Sequence, residues 1–314
     1  MAFNVLTNTQ LSSTILEMLT PSCAVTVWQG EATDPGVLAA TEGLFVYGHP
    51  KIAGPLMDRM PKLRVISNFG VGVDHINLDD ARTRNIAVGN TPRLVDGATA
   101  DLTFALLMAI GRNLVIGDRF ARSAAFTVYD PNILHGHEIH GATLGIIGMG
   151  NIGRQVARRA RGFDMRVLYH NRKRNLAAEA EVDATYAELP DLLAQADYVT
   201  LNMPLTPETR GMIGRAQLRA MRPTAYLINV ARGGVVDHDA LVEALTQGWI
   251  AGAALDVTEP EPLPRDHPLL SLDNVIITPH LGSATVQTRY NMARRAVDNL
   301  LAGLEGRVLP NRIA

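Results

Sequence analysis

Between Thr143 and Arg161 the chain reads TLGIIGMGNIGRQVARRAR. A short apolar, β-branched run leads into glycines at 148, 150 and 153, and Ile152, Val156, Ala157 and Ala160 then recur on one side of a helix. This order constrains the fold more than any other stretch, because a strand that turns through glycines directly into a helix is half of a βαβ unit. Gly148 permits the tight turn, Gly150 lets main chain approach an anion with no Cβ in the way, and Gly153 lets helix and strand pack closely. The product is a helix N-terminus facing open space, which attracts a phosphate or pyrophosphate. A glycine turn of an unrelated α/β protein would share the string, so the surroundings must decide.

The surroundings are a long series of short apolar runs alternating with helical patterns. Strands are expected at Phe3–Thr7, Val25–Trp28, Leu44–Tyr47, Arg64–Asn68 and Ile86–Val88, with helices such as Leu11–Leu19 and Ile52–Met60 between them. A second series runs through Thr143–Ile147, Arg166–His170, Tyr198–Asn202, Ala225–Asn229, Gly252–Val257 and Asn274–Ile277. The alternation implies an α/β protein with two doubly wound parallel sheets, of about five and six strands. Between the series, Asp96–Arg112 reads as a helix too apolar to lie on a surface alone, and is expected to pack against another domain or another subunit. After the last strand, Ser283 is the expected N-cap of a long helix that crosses back to the first domain. The expected boundaries are 1–99 with 285–314 for one domain and 100–284 for the other. A cleft between two such domains is the usual place for a ligand.

Length and composition agree with two buried cores: 314 residues, 47% of them hydrophobic. With 29 Lys and Arg against 31 Asp and Glu, no basic excess points to nucleic acid and no acidic run to a solvating role. One cysteine, Cys23, excludes an internal disulfide framework and a multi-cysteine metal site, and no metal is expected. The start, MAFNVLTNTQ, lacks a basic segment followed by a long apolar one, and runs such as Phe104–Ile110 are too short to span a bilayer. A cytoplasmic location is the expectation.

The residues after the second strand of the second series bear on the cofactor. In an NAD site a carboxylate about 20 residues past the glycines bonds the ribose 2′-hydroxyl. Here MRVLYHNRKR follows, and Met165–Ala178 contains no carboxylate. Asn171 stands at the expected position, followed by Arg172, Lys173 and Arg174, which suit a 2′-phosphate through charge-assisted hydrogen bonds. NADP (NADPH) is therefore expected, with NAD as the alternative; a solvated basic turn is the plainer explanation of the same three residues.

Hydride chemistry also needs a proton donor at a carbonyl oxygen and a group that holds the rest of the substrate. Arg232 in INVARGGVVD, Glu261 in the proline-rich ALDVTEPEPLP and His280 in ITPHLGSAT each follow a strand. Singly, each is more often a salt-bridge partner, a surface acid or a packed histidine. Together they form a candidate acid–base set, since a carboxylate beside an imidazole favours its charged form and fixes its tautomer.

These strings, with NFGVGVDHINL, TLGIIGMGNIG and NMPLTPETR, occur in one order along nearly the whole chain. The chain resembles the D-isomer-specific 2-hydroxyacid dehydrogenases, and within them the glyoxylate/hydroxypyruvate reductase branch. The resemblance implies a flavodoxin-like substrate domain built from both chain ends, a central Rossmann domain, and a homodimer formed largely through the Rossmann half. It implies that Arg232 orients a 2-oxoacid, that His280 is the acid or base, and that Glu261 completes the set. It also implies that Val71 and Gly72 offer amides to the substrate carboxylate. Asp256 is similar to a residue near the nicotinamide carboxamide and Thr99 to one near the cofactor phosphates, joining Gly148, Gly150, Asn151, Ile152, Gly153 and Asn171–Arg174. Two positions depart from the pattern: Asn202 stands where many relatives have His before PLT, and AAFTVYDP replaces a tryptophan-rich segment, leaving Phe126 and Tyr129. Reduction of a small 2-oxoacid is the expected activity. Larger sugar-acid or aryl 2-oxoacids, or a dinucleotide-sensing corepressor role, are the alternatives.

Overall fold

A computed structural model describes residues 2–314. The chain divides into two compact units, the stretch up to Val95 together with Thr285–Ala314, and Asp96–Ala284.

The first unit holds a five-stranded parallel sheet: β1 (Phe3–Thr7), β2 (Cys23–Val27), β3 (Gly43–Tyr47), β4 (Val65–Phe69) and β5 (Ala87–Gly89). The order β2-β1-β3-β4-β5 is the flavodoxin-like one. Its strands are apolar on both faces, as a parallel sheet covered by helices requires: Leu44, Phe45, Val46, Val65 and Ile66 are all fully buried. The long helix Val286–Leu304 covers part of this sheet. Its small residues allow close approach, since a Cβ on Gly303 would come within 2.5 Å of Val65 and one on Gly43 within 2.9 Å of Leu300. Buried Asn299 fastens the helix, donating to Asn90 O at 2.9 Å and accepting from Asn311 N at 3.0 Å. The helix starts two residues later than expected: Thr285, whose side chain accepts from Thr288 N, is the N-cap in place of Ser283.

The second unit holds a seven-stranded parallel sheet: β6 (Thr143–Ile147), β7 (Arg166–His170), β8 (Ala184–Tyr186), β9 (Tyr198–Leu201), β10 (Tyr226–Asn229), β11 (Gly252–Leu255) and β12 (Val275–Ile277). The order is β12-β11-β10-β9-β6-β7-β8, a Rossmann arrangement carrying one strand beyond the usual six. The additional strand is β12; the strand that the sequence pattern does not reveal is β8, a three-residue edge segment pairing Val167 with Ala184 and Tyr169 with Tyr186. Successive residues feed opposite cores: Val167 and Tyr169 face one, Leu168 the other.

The apolar helix is Asp96–Gly111. Ala100, Phe104, Leu107 and Ile110 enter the core of the second unit itself, beside Val156, Ala157 and Ala160 of the helix Asn151–Ala160. That face is covered by its own unit, while Asp101 and Ala105 on the other side are exposed. Among the described residues no single helix is long and apolar enough to cross a membrane.

Replacing Asn299 with alanine leaves the Asn90 carbonyl and the Asn311 amide without their partner. The expected result is a loss of about 2 kcal/mol, read as a lower urea midpoint with unchanged slope; an unchanged midpoint would show that the helix does not depend on Asn299.

Candidate functional site

All strands of the second sheet are parallel, so the loops leaving their carboxyl ends gather along one edge. Winding reverses between β6 and β9, and that switch point is where open α/β sheets form a crevice. Gly148 follows β6 there with φ +102°, a conformation L side chains rarely adopt, and a Cβ on it would meet Met203 N at 2.7 Å and the Asn202 carbonyl carbon at 2.8 Å. A Cβ on Gly153 would strike the Gly148 carbonyl. Both glycines are thus required by the chain's own packing. Gly150 is different. A Cβ there would meet nothing within 4 Å, so its lack of a side chain keeps the start of the helix Asn151–Ala160 open to something other than this protein's atoms. No acidic side chain occupies that first turn, which leaves the positive end of the helix for an anion. Asn202, just past β9, has both amide atoms buried and without a hydrogen-bond partner among the described residues. Open helix terminus, bare glycine and orphaned amide together fit a bound dinucleotide.

Asn171, at the end of β7, accepts from Met149 N at 2.8 Å and so braces the glycine loop. The basic run beyond it is not uniform. Arg172 and Lys173 are exposed, with Arg172 beside Glu208. Arg174 instead places its guanidinium on Glu179, Nε to Oε1 at 2.7 Å and Nη2 to Oε2 at 2.8 Å.

Three neighbouring strands carry the expected acid–base set. Arg232 lies three residues past β10, in a loop fixed by buried Asn229, whose side chain donates to Arg232 O at 2.9 Å and accepts from Ala231 N at 3.0 Å. Glu261 follows β11 on the proline-rich loop. Its Oε1 lies 2.7 Å from His280 Nδ1, and its Oε2 accepts from Thr258 N at 3.2 Å. A carboxylate only accepts, so Nδ1 carries the hydrogen in this pair and Nε2 faces away from Glu261. His280 itself sits at φ +57°, and its N–H donates to the Asp256 carbonyl at 2.9 Å.

Asp256 proves to be the anchor of that turn. Its buried carboxylate accepts from Thr278 Oγ1 at 2.6 Å, Leu281 N at 2.7 Å and Gly282 N at 2.8 Å. Thr99, on the apolar helix, donates to Gly282 O at 3.1 Å and steadies the same turn from the other side. Both residues are expected at the cofactor by resemblance, and both brace the segment that carries His280.

Sequence reasoning missed the clasp on the Glu261 loop. Arg210 pairs with Glu259 at 2.8 Å, and His238 donates from Nδ1 to Glu259 O at 2.9 Å. Burial pushes the His238 imidazole below its ordinary value, consistent with a neutral ring that donates only from Nδ1. Gly233 and Gly234 have no room for a Cβ against Thr258 and Glu259, so the Arg232 and Glu261 loops lie back to back. The glycine pair was the available sequence signal.

In the first unit, the turn after β4 holds Val71 and Gly72. Gly70 O accepts from Thr91 N at 3.0 Å, and Val71 O accepts from Asn90 Nδ2 at 2.8 Å. In a trans peptide the next N–H points the opposite way, so pinning these two carbonyls turns the Val71 and Gly72 amides away from their anchors.

Comparisons with known proteins agree with this architecture. Residues 104–282 match the D-isomer specific 2-hydroxyacid dehydrogenase, NAD binding domain family. A glyoxylate reductase of Pyrococcus furiosus is 42% identical over 307 residues, 95% of this chain and 91% of the relative. A solved structure of a Thermus thermophilus protein superposes with a TM-score of 0.91 at 44% identity, covering 99% of this chain and 100% of that one. An NADPH-dependent glyoxylate/hydroxypyruvate reductase of Sinorhizobium meliloti, solved with NADP and malonate, gives 0.90 at 32% identity over 100% of this chain and 97% of that one. With its glycine cradle at a Rossmann switch point and a family match spanning more than half its length, the chain belongs to the D-isomer-specific 2-hydroxyacid dehydrogenases, a family of oxidoreductases.

Proposed function

We propose that this protein reduces a small 2-oxoacid of the glyoxylate or hydroxypyruvate type to the D-2-hydroxyacid with NADPH. The observation that carries the reading is the Glu261–His280 pair at 2.7 Å at the carboxyl end of the sheet that bears the glycine cradle. The Pyrococcus and Sinorhizobium relatives supply the substrate class, and the second of them the phosphorylated coenzyme. In this reading the second unit, Asp96–Ala284, is the dinucleotide-binding domain expected over 100–284, and the first unit is the substrate domain expected over 1–99 with 285–314.

The coenzyme, when bound, supplies a hydride to the carbonyl carbon. His280 holds its Nδ1 hydrogen on Glu261, which fixes the ring so that Nε2 delivers a proton to the carbonyl oxygen as that oxygen gains negative charge. Glu261 is shared between His280 and the Thr258 amide, so it orients the imidazole without itself leaving the loop. Arg232 presents a planar guanidinium suited to two-pronged binding of the 2-oxoacid. The Val71 and Gly72 amides take its carboxylate. Gly148, Gly150, Asn151, Ile152 and Gly153 receive the pyrophosphate, Asn171, Arg172 and Lys173 meet the adenosine ribose with Arg174 next in the same turn, and Thr99 and Asp256 hold the turn beside the nicotinamide. A homodimer through the second unit is part of the proposal. The stretch after Asn113 exposes Leu114, Phe126, Val128 and Tyr129, the last two at 74% and 78%, a larger apolar surface than single scattered residues provide.

Steady-state rates on glyoxylate, hydroxypyruvate, pyruvate and 2-ketogluconate with each reduced coenzyme test the activity. Turnover on the first two with NADPH is expected; no oxidation of either coenzyme with any of the four would overturn it. His280→Gln should lower kcat by about 10²- to 10⁴-fold while the NADPH dissociation constant stays within about twofold. Gly150→Ala separates coenzyme binding from packing: thermal stability should hold, and NADPH affinity should fall by about tenfold or more as the new methyl obstructs the approach to the helix start. Light scattering should give twice the chain mass, and Val128→Asp with Tyr129→Asp should give the monomer; an unmodified monomer would refute the dimer.

A further inference from the structure

Three basic residues follow β7, and only one of them is already committed. Arg174 forms a two-pronged pair with Glu179, and the carboxylate is itself held in place: Tyr169 Oη donates to Glu179 Oε1 at 2.6 Å, and the same hydroxyl accepts from Asn175 N at 2.8 Å. Tyr169 is fully buried in the sheet core, and Asn175 caps the helix Leu176–Val182 that carries Glu179, accepting from Ala178 N at 3.1 Å. The acid therefore cannot drift away with its arginine. Its side chain is 13% exposed, against 59% for Arg174. The hydrogen bonds from Arg174 and Tyr169 pull the Glu179 carboxyl down to about 2, so it stays an anion throughout the physiological range.

A guanidinium recognises a carboxylate and a phosphate with the same fork of donors. We propose that Glu179 is a specificity-determining residue: as a built-in competitor for Arg174, it leaves the coenzyme's 2′-phosphate to Arg172 and Lys173 and limits the preference for phosphorylated over unphosphorylated coenzyme. The proposal rests on the coenzyme reading above. In a turn with three basic residues and no acid of its own, the acid is supplied from the following helix and acts on the arginine instead of on the ribose. Arg174 is exposed, so the competition is of the modest strength of a surface ion pair.

Calorimetric titration with adenosine 2′,5′-bisphosphate and with AMP tests this without turnover. For the unmodified chain, Arg172→Ala should weaken the bisphosphate about tenfold or more, the loss of a charge-assisted contact, whereas Arg174→Ala should change it by less than about twofold. Glu179→Gln keeps the bond from Tyr169 but releases the guanidinium, so the bisphosphate should bind about three- to fivefold more tightly with AMP unchanged. The gain should vanish in the Glu179→Gln, Arg174→Ala double variant. If Arg174→Ala alone costs as much as Arg172→Ala, or if Glu179→Gln brings no gain, the inference fails while the coenzyme reading stands. If the unmodified chain binds neither nucleotide, the coenzyme reading fails and takes this inference with it.

Discussion

The second unit depends on main chain packed against main chain at one place. Where β6 ends, the Gly148 backbone runs against the peptide joining Asn202 to Met203, closer than any side chain allows, and Gly153 lies on the Gly148 carbonyl. That contact sets the direction of the helix Asn151–Ala160 and leaves its N-terminus bare at the point where the sheet reverses its winding. A site made of main-chain donors needs no side chain to reorganise, so an anion meets dipoles already aimed at it.

The groups proposed to react are held by a different device. Arg232, Glu261 and His280 all sit on loops, yet each loop is pinned by polar groups at its base, with Asn229, His238 and Asp256 among them buried. Asn229 fixes the first, His238 and Arg210 fix the second through Glu259, and the Asp256 carboxylate fixes the third with three donors. A buried carboxylate satisfied by three hydrogen bonds is costly to move, because any shift leaves charge without a partner. The His280 backbone, at positive φ, is held by its N–H bond to the Asp256 carbonyl at 2.9 Å.

Much of this is legible in the residue pattern, and for physical reasons. Two parallel sheets follow from apolar runs alternating with helical periodicity, and the glycine spacing reports a backbone geometry that few other residues tolerate. What the pattern cannot supply is which partner a polar side chain chooses. Arg174 reads as one more basic residue of the turn, and the pattern does not show that Glu179, five residues on and one helical turn inside the next element, pairs with it. Asp256 is expected near the cofactor, and the pattern does not show that its carboxylate also gathers the turn at Thr278–Gly282. Strand β8 escapes notice because three residues at an edge carry no period, and for the apolar helix composition reports burial without saying that one face lies in its own unit. Ser283 and Thr285 are both good caps, and only the backbone decides between them.

The central claim is that a hydride passes from a reduced nicotinamide to the carbonyl carbon of a 2-oxoacid while a side chain protonates the oxygen. Incubating the protein with hydroxypyruvate and NADPH bearing deuterium at C4 of the nicotinamide, then reading the product by mass spectrometry and chiral separation, tests it most directly. The account predicts D-glycerate with a single deuterium at C2 when one face of the nicotinamide is labelled and none when the other is. Product whose C2 hydrogen comes from solvent, or no product at all, would contradict it.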